Sequence, residues 1–447
     1  MEVKMYVTSE TDRFAEKALF CNDEPVMGAH TVTASDTPSN TNFKGFGVAP
    51  TGSSCYMLSI MDPDMRKTYL NDVYGKNGLH LSVGRISIGS SDYSPELYSY
   101  CDEKDDLELK SFSIDRDRSY IIPMLHEIQK ANPSINFFAA PWSPPGWMKT
   151  SGKMCGGYMR DRFVDCYADY FIAFLNAYKK EGIDIFAVTP QNEPETQQQG
   201  TMPACIWHPD TEVNFIKMLR KKLEHTDLDT KVWIYDHNFS GIPRIIKQLE
   251  ENPELAKDAT IAFHYYDGSP KAISELRKKF PLVKWNFTEG GPRLFDNYDT
   301  DWGKWGVAMS LSLENGCDSF CGWNLLLDNE GGPNIGPFFC GGLATYNPKD
   351  KTLNYSGQYH ALRHFSGTIQ SGARIYPITV SKEGICLSAF PNHPFELYGI
   401  AADNRDGSHV LQLVNVNNEK SQLQYFYNNK WWYVELMPNT IATIVFS

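Results

Sequence analysis

The 447-residue sequence predicts an α/β protein, a closed (β/α)8 TIM barrel with an attached antiparallel β-sandwich side domain, and three observations carry that prediction. From about residue 46 to 365, short apolar runs alternate with amphipathic stretches, the pattern of strands separated by helices. After residue 370 the pattern changes to short alternating strands with Asn- and Gly-rich turns, as in an antiparallel sheet. No Gly-rich phosphate loop interrupts the alternation, which favours a closed barrel over a doubly wound nucleotide-binding sheet.

In chain order, residues 1–44 are polar and strand-like and precede the first barrel strand, so they are expected to complete the sandwich from the other chain end. The barrel is expected over 45–369, with strands at 45–49, 79–88, 136–140, 183–189, 232–235, 261–265, 283–288 and 319–326. Segments 162–180 and 211–223 read as helices between them. Residues 370–447 are expected to supply the rest of the sandwich, with strands at 384–390, 409–416, 422–427, 431–436 and 441–446.

Composition excludes several function classes. A chain that is 42% hydrophobic and 13% aromatic can offset its conformational entropy, which excludes disorder. With 42 Lys and Arg against 54 Asp and Glu, the net charge of −12 has the wrong sign for nucleic acid, and no basic run is present. No stretch approaches the roughly 20 apolar residues of a membrane span. Residues 1–10 carry charge and lack an apolar signal core, which points to a cytoplasmic, bacterial protein, or to a secreted one whose leader has been removed. Ten cysteines without a C-x-x-C pair read as buried or free thiols of a reducing compartment. The N-x-S/T triplets at Asn238, Asn286 and Asn354 read as accidental, since the first two end core strands. The sequence carries no signal for oligomeric state.

In a barrel, the side chains at the carboxyl ends of the strands surround the active site. The run IDIFAVTP is followed by Gln191-Asn192-Glu193-Pro194, which puts an amide and a carboxyl at a strand end. Pro194 is expected to hold Glu193 extended. Alone, this segment fits an ordinary polar loop equally well. The run VKWNF ends in Thr288-Glu289-Gly290-Gly291, where the glycines are expected to permit backbone turns and leave room for a ligand; alone, a solvated glutamate before a turn fits too. The pair is more specific. Glu193 follows the fourth strand and Glu289 the seventh, so both open on one mouth, where two carboxyl groups can protonate a leaving oxygen and trap a sugar's anomeric carbon. HExxH, GxSxG and P-loop signatures are absent from the sequence, and neither a metal nor a cofactor is called for.

Aromatic residues fall near the same strand ends: Trp142 and Trp147 in APWSPPGW, Tyr265 and Tyr266 in FHYY, and Trp323 in CGWN. Rings stack on the C–H faces of sugars, although any one of them could equally be core. Arg85 and Asp92, in GRISIGSSDYS, add a cation and a hydroxyl-binding acid, or else a surface ion pair. His264 could orient the pocket or be a satisfied core histidine. His360 and His364, at i and i+4, read as a helix face packed on the barrel rather than as metal ligands.

Together, GFGVAPTGSS, RISIGSSDYS, AAPWSPPGWMKT, FAVTPQNEP, FHYY, WNFTEGG and WNLLLDNEGGPN resemble glycoside hydrolase family 30, the family of lysosomal glucosylceramidase and microbial β-glycosidases. The resemblance runs in order over most of residues 45–366 and implies a retaining double displacement. It implies Glu193 as acid/base, Glu289 as nucleophile and Asn192 as a ligand of the sugar 2-hydroxyl. Asp92, Trp142 and Trp323 match positions that hold the non-reducing sugar, Tyr266 one beside the nucleophile, and Arg85 a cation supporting that carboxylate. Past Asn334 the sequence IGPFFCGGL departs from the sugar-contacting loop of the lipid-cleaving members, which leaves the leaving group open. The expectation is an exo-acting β-glycosidase of β-glucoside, β-fucoside or β-xyloside type, whose partner is a small-molecule or oligosaccharide β-glycoside. The charge of Glu289 is expected to raise the pKa of Glu193, so that it is protonated in the free enzyme. An endo-acting β-1,6-glucanase or xylanase of the same family, or a non-catalytic carbohydrate-binding protein, is the alternative.

Overall fold

A computed structural model describes residues 2–196, 200–382, 385–386 and 397–447. Its parallel sheet runs through Gly45–Val48, Val83–Ser87, Asn136–Ala140, Ile185–Val188, Lys231–Val232 with Ile234–Asn238, Thr260–His264, Lys284–Glu289 and Ser319–Gly322. The eighth strand pairs with the first, from Ser319 on Gly45 to Gly322 on Val48. Trp233 divides the fifth strand, whose first part pairs with the fourth and second part with the sixth. The ring therefore closes as the (β/α)8 barrel expected.

Alternation along each strand builds the interior from the bottom up. Val83, Phe138, Ala187, Trp233, Ala262 and Cys321 form one buried apolar cluster inside the ring. Two residues further along a strand a side chain returns to the same face. There Val83 gives way to Arg85, Ala187 to Thr189 and Ala262 to His264, so the apolar plug ends and a polar floor begins.

The helices bury one stripe each. In Val164–Lys180, Cys166, Tyr167, Tyr170, Phe171, Phe174 and Tyr178 are buried at helical spacing, with Asp165 in the first turn and Lys179 and Lys180 in the last, as the helix dipole favours. The helix expected at 211–223 starts at Pro209, whose missing N–H is no loss in a first turn.

Two strand readings change. The second barrel strand starts at Val83 rather than 79, because the Leu79 and Leu81 N–H groups donate back to Asp72 O and Val73 O of the preceding helix. The run 319–326 is two strands: the barrel strand stops at Gly322, Trp323 N donates across to Gly290 O, and Leu326–Asp328 joins Ala344–Asn347 and Thr352–Tyr355 in a separate sheet.

The antiparallel domain draws on both chain ends. Val3–Thr8 pairs with Thr440–Phe446, and His30–Ala34 pairs with the second half of Arg374–Lys382. The first half of that long strand, up to Pro377, pairs instead with Leu397–Asp403. It thus passes from one layer to the other at a proline, which cannot donate to a ladder. Between the layers lie Val32, Leu411, Leu413, Leu423, Trp432 and Ile444. All seven residues of His409–Asn415 are buried, because Leu411 and Leu413 face the sandwich core while Val410 and Val414 face the barrel-side core. The helix Trp302–Glu314 lies against this sheet at Gly306, where a Cβ would meet Ile441 and Val414 carbons at 3.0 Å. Of the strand expected at 384–390, only 385–386 fall within the described residues, and they pair with Arg374–Lys382.

His364 is buried in the helix Gly357–Phe365, with its ring nitrogens 2.8 Å from the hydroxyls of Thr8 and Thr443. The helix face expected to pack on the barrel therefore turns this histidine toward the sandwich, whose strands supply both partners.

Candidate active site

Arg85 organises the floor of the barrel mouth. Its side chain is fully buried, donates to Glu289 Oε2, and reaches Asn192 Oδ1 at 2.7 Å and Asp236 Oδ2 at 2.9 Å. It also lies over the rings of Trp142 and Trp323, at 4.8 and 5.5 Å. These contacts are those of a core cation, so the surface ion pair is ruled out for Arg85. Burial disfavours its charge, but Asp236 and Glu289 more than offset this and raise its pKa.

Glu289 ends the seventh strand and takes a hydrogen bond from the Tyr266 hydroxyl at 2.9 Å. The glycines after it do not adopt left-handed backbone; what excludes a side chain is space. A Cβ on Gly290 would lie 2.8 Å from the Phe287 ring and one on Gly291 2.9 Å from Trp323 Cβ.

Glu193 is not extended. Its φ is +51°, left-handed, which costs an ordinary residue roughly 1–2 kcal/mol. The turn is held by backbone bonds on either side, from Asn192 N to Pro141 O at 2.8 Å and from Glu193 N to Asp236 O at 2.9 Å. The preference set by Pro194 is overridden by these contacts.

Glu193 Oε1 lies 3.3 Å from His264 Nδ1, and His264 Nε2 lies 3.0 Å from Asp236 Oδ1. One ligand atom each from Glu193, His264 and Glu289 fall within 4.8 Å of one another. Three such groups could in principle take a metal ion, but Arg85 already sits on Glu289 and both His264 nitrogens face carboxylates, a set arranged around protons and a fixed cation. Burial works against charge on His264, yet Glu289, Asp236 and Glu193 lift its pKa to about 9. Burial pushes Glu193 up, but the hydrogen bond and charge of His264, with His237 and Arg85, bring it below its ordinary value. This reverses the expected rise, because His264 beside Glu193 favours its charged form.

A cavity of about 220 Å³ opens above these groups, room for about seven waters and so for a single hexose. Asp92, Trp142, Asn192, Glu193, Tyr266, Glu289 and Trp323 all line it, and Arg85 lies beneath. Trp142 and Trp323 stack at 5.1 Å. Asp92 is buried, its Oδ1 has no protein partner, and burial together with Glu289 and Glu193 pushes its pKa well up. Arg85 engages the amide oxygen of Asn192, which leaves the NH2 end for a ligand. Trp147 is elsewhere, donating to Cys101 O at 2.9 Å, and Tyr265 lines a neighbouring hollow rather than this cavity. The segment past Asn334 contributes Phe338 and Cys340 to the cavity lining, and is tied down by Ile335 N on Asp92 O at 2.8 Å and Cys340 N on Tyr93 Oη at 3.0 Å.

Sequence reasoning missed Asp236 and His237. Asp236 is fully buried and accepts from Arg85, Thr189 and Thr288 as well as facing His264; burial opposes its charge, but Arg85 and His264 hold its carboxyl far below the usual range. His237 lines the cavity 3.8 Å from Glu193 Oε1. Both end the run VWIYDHN, so the strand-end rule that found Glu193 and Glu289 reaches them too.

A barrel whose mouth pairs two glutamates over a hexose-sized, tryptophan-walled cavity has the form of a glycoside hydrolase. Residues 43–369 match the glycosyl hydrolase family 30 TIM-barrel domain, and the chain belongs to that family. It is similar to "Putative glucosylceramidase 3" of Caenorhabditis elegans, 32% identical over 77% of this chain and 70% of that one. It is also similar to "Endo-1,6-beta-D-glucanase" of Neurospora crassa, 28% identical over 93% of this chain and 88% of that one. Among solved structures, "The endo-beta1,6-glucanase BT3312" superposes with a TM-score of 0.86 at 27% identity, with both chains fully covered.

Proposed function

We propose that this glycoside hydrolase is an exo-acting β-glycosidase that works with retention of configuration. The observation that carries the reading is that one carboxyl oxygen of Glu193 lies within 4.8 Å of one of Glu289, too close for a water-spanning inverting pair. Retaining enzymes keep their carboxyls about 5–5.5 Å apart and inverting ones leave roughly 6.5–9.5 Å for a water. Glu289, on a strand and braced by Arg85 and Tyr266, attacks the anomeric carbon. As the bond to the leaving oxygen breaks, Glu193 passes to that oxygen the proton it shares with His264. Glu193 then takes a proton from water, which attacks the same carbon and releases Glu289. Asp92, Trp142, Asn192 and Trp323 hold the sugar, and the cavity of about 220 Å³ suits one unit. Two carboxyls supply both acid and nucleophile, so the route calls on no metal or cofactor.

The names of the relatives put β-glucosides at the head of the test panel, followed by β-fucosides and β-xylosides. Hydrolysis of a nitrophenyl β-glycoside followed by NMR should show the β-anomer first; the α-anomer first would overturn retention. The likeness to endo-1,6-β-glucanases favours a second reading, endo action, and the size of the first product from an oligosaccharide separates the two: one sugar for exo, longer pieces for endo. No described helix is long and apolar enough to cross a membrane. Cytoplasmic placement belongs to the same proposal and rests on the free thiols of nine cysteines between Cys21 and Cys340.

A further inference from the structure

The catalytic cavity does not end at Glu289. Tyr266 and Arg293 line it and also line a second hollow of about 300 Å³, together with Tyr265, Phe295, Asp296 and Lys304. Phe295 in turn lines a third hollow of about 540 Å³, with Asn297, Asp299, Asn329, Asn347 and Asn354. A path of shared residues thus leads away from the nucleophile, alongside the segment past Asn334, to which it is tied by the Arg293–Cys340 bridge and by Leu294 N on Phe339 O at 3.3 Å.

The chemistry of this path is specific. Phe295 is 70% exposed, so its ring offers an apolar face to a ligand beside the polar groups of both hollows. Around it stand the Asp296–Lys304 ion pair at 2.9 Å, the guanidinium of Arg293 and a set of amides. A pyranose offers a C–H face to a ring and a rim of hydroxyls to amides and charges. A hydrocarbon tail laid along the same path would cover four asparagines and two aspartates and strip their water without replacing it.

We propose that these two hollows hold the leaving part of the substrate, and that this part is itself a chain of neutral sugars. The proposal rests on the glycosidase reading and deepens it. The first leaving sugar sits between Tyr266 and Arg293, the next on Phe295, and a third over the asparagines. The enzyme then removes one terminal sugar at a time from a β-linked oligosaccharide and prefers substrates long enough to fill the path.

β-Glucosyl fluoride places only fluorine on the leaving side, so its kcat/KM reads the catalytic cavity alone. Gentio-, laminari- and cello-oligosaccharides of two to four units read the path as well. In one series kcat/KM should climb about tenfold from disaccharide to tetrasaccharide, which is one well-made contact's worth of discrimination. Phe295→Ala and Asn329→Ala, both at exposed positions, should lower the tetrasaccharide value about tenfold more than the fluoride value. Turnover of the fluoride with no length dependence in any series and no selective loss in either variant overturns the leaving-chain path while leaving the glycosidase reading intact. Failure to turn over the fluoride or any nitrophenyl β-glycoside overturns that reading itself.

Discussion

Two buried imidazoles, one at the barrel mouth and one between barrel and sandwich, respond to burial in opposite ways. His264 and His364 are both fully buried, yet His264 is lifted to about 9 and His364 is lowered to about 3. Burial lowers both. At the interface it meets no anion, because the partners of His364 are the hydroxyls of Thr8 and Thr443, and His360 and Arg363 add to the fall. At the mouth, Glu289, Asp236 and Glu193 outweigh it. Burial sets the cost of a charge, and the neighbours decide whether the charge is kept; the barrel mouth differs from the barrel–sandwich contact in those neighbours.

The largest test of that contrast removes an anion. Glu289→Gln should cut turnover by roughly 10⁵-fold, as loss of a nucleophile does. It should also bring the His264 titration, read by NMR, down from about 9 toward the ordinary value. A histidine that stays near 9 without Glu289 would break the account of the mouth. Glu193→Ala should slow the water step by about 10²–10⁴-fold. Azide should then restore turnover and give the β-glycosyl azide, whereas an α-azide would contradict retention.

Arg85→Met comes next and is read as stability. It leaves Asp236 and Glu289 buried beside an apolar side chain, and breaking such a pair costs about 3–5 kcal/mol in chemical denaturation. A loss below about 1 kcal/mol would mean that the floor is solvated.

The smallest effects compare the two histidines directly. Folded His264 binds its proton more tightly than the unfolded chain does, so its contribution is full below pH 6.5 and is lost as pH rises to about 9. Folded His364 binds its proton less tightly, so its contribution is full above pH 6.5 and is lost as pH falls toward 3. Each tilts stability by at most about 1.4 kcal/mol per pH unit, with opposite sign. His264→Asn and His364→Asn should flatten the alkaline and acid limbs respectively, and slopes of the same sign would refute the contrast.

Much of the fold was legible because burial leaves a period in the sequence. The strand runs at 136–140 and 261–265 match the observed elements to within a residue. The run at 319–326 did not, since an apolar stretch records burial and not the partner each N–H finds. Glu193 and Glu289 could be picked out because each follows an apolar run that ends at the mouth. Asp236 and His237 obey the same rule but were hidden by the backbone. Tyr235 and Asp236 have φ of +75° and +102°, and the register slips between Tyr235 and His237. That bulge puts neighbouring residues into one site where alternation would have parted them.

By itself the sequence determined the alternation of strands and helices, the side domain contributed by both ends and the two acids at strand ends, because each follows from local pattern and chain order. Only the tertiary structure decided how Arg85, Asp236 and His264 surround the two acids and which other side chains share the cavity with them. Those depend on charges and surfaces that meet across strands, such as Arg85 with Glu289, 204 residues apart, and no local pattern encodes that encounter.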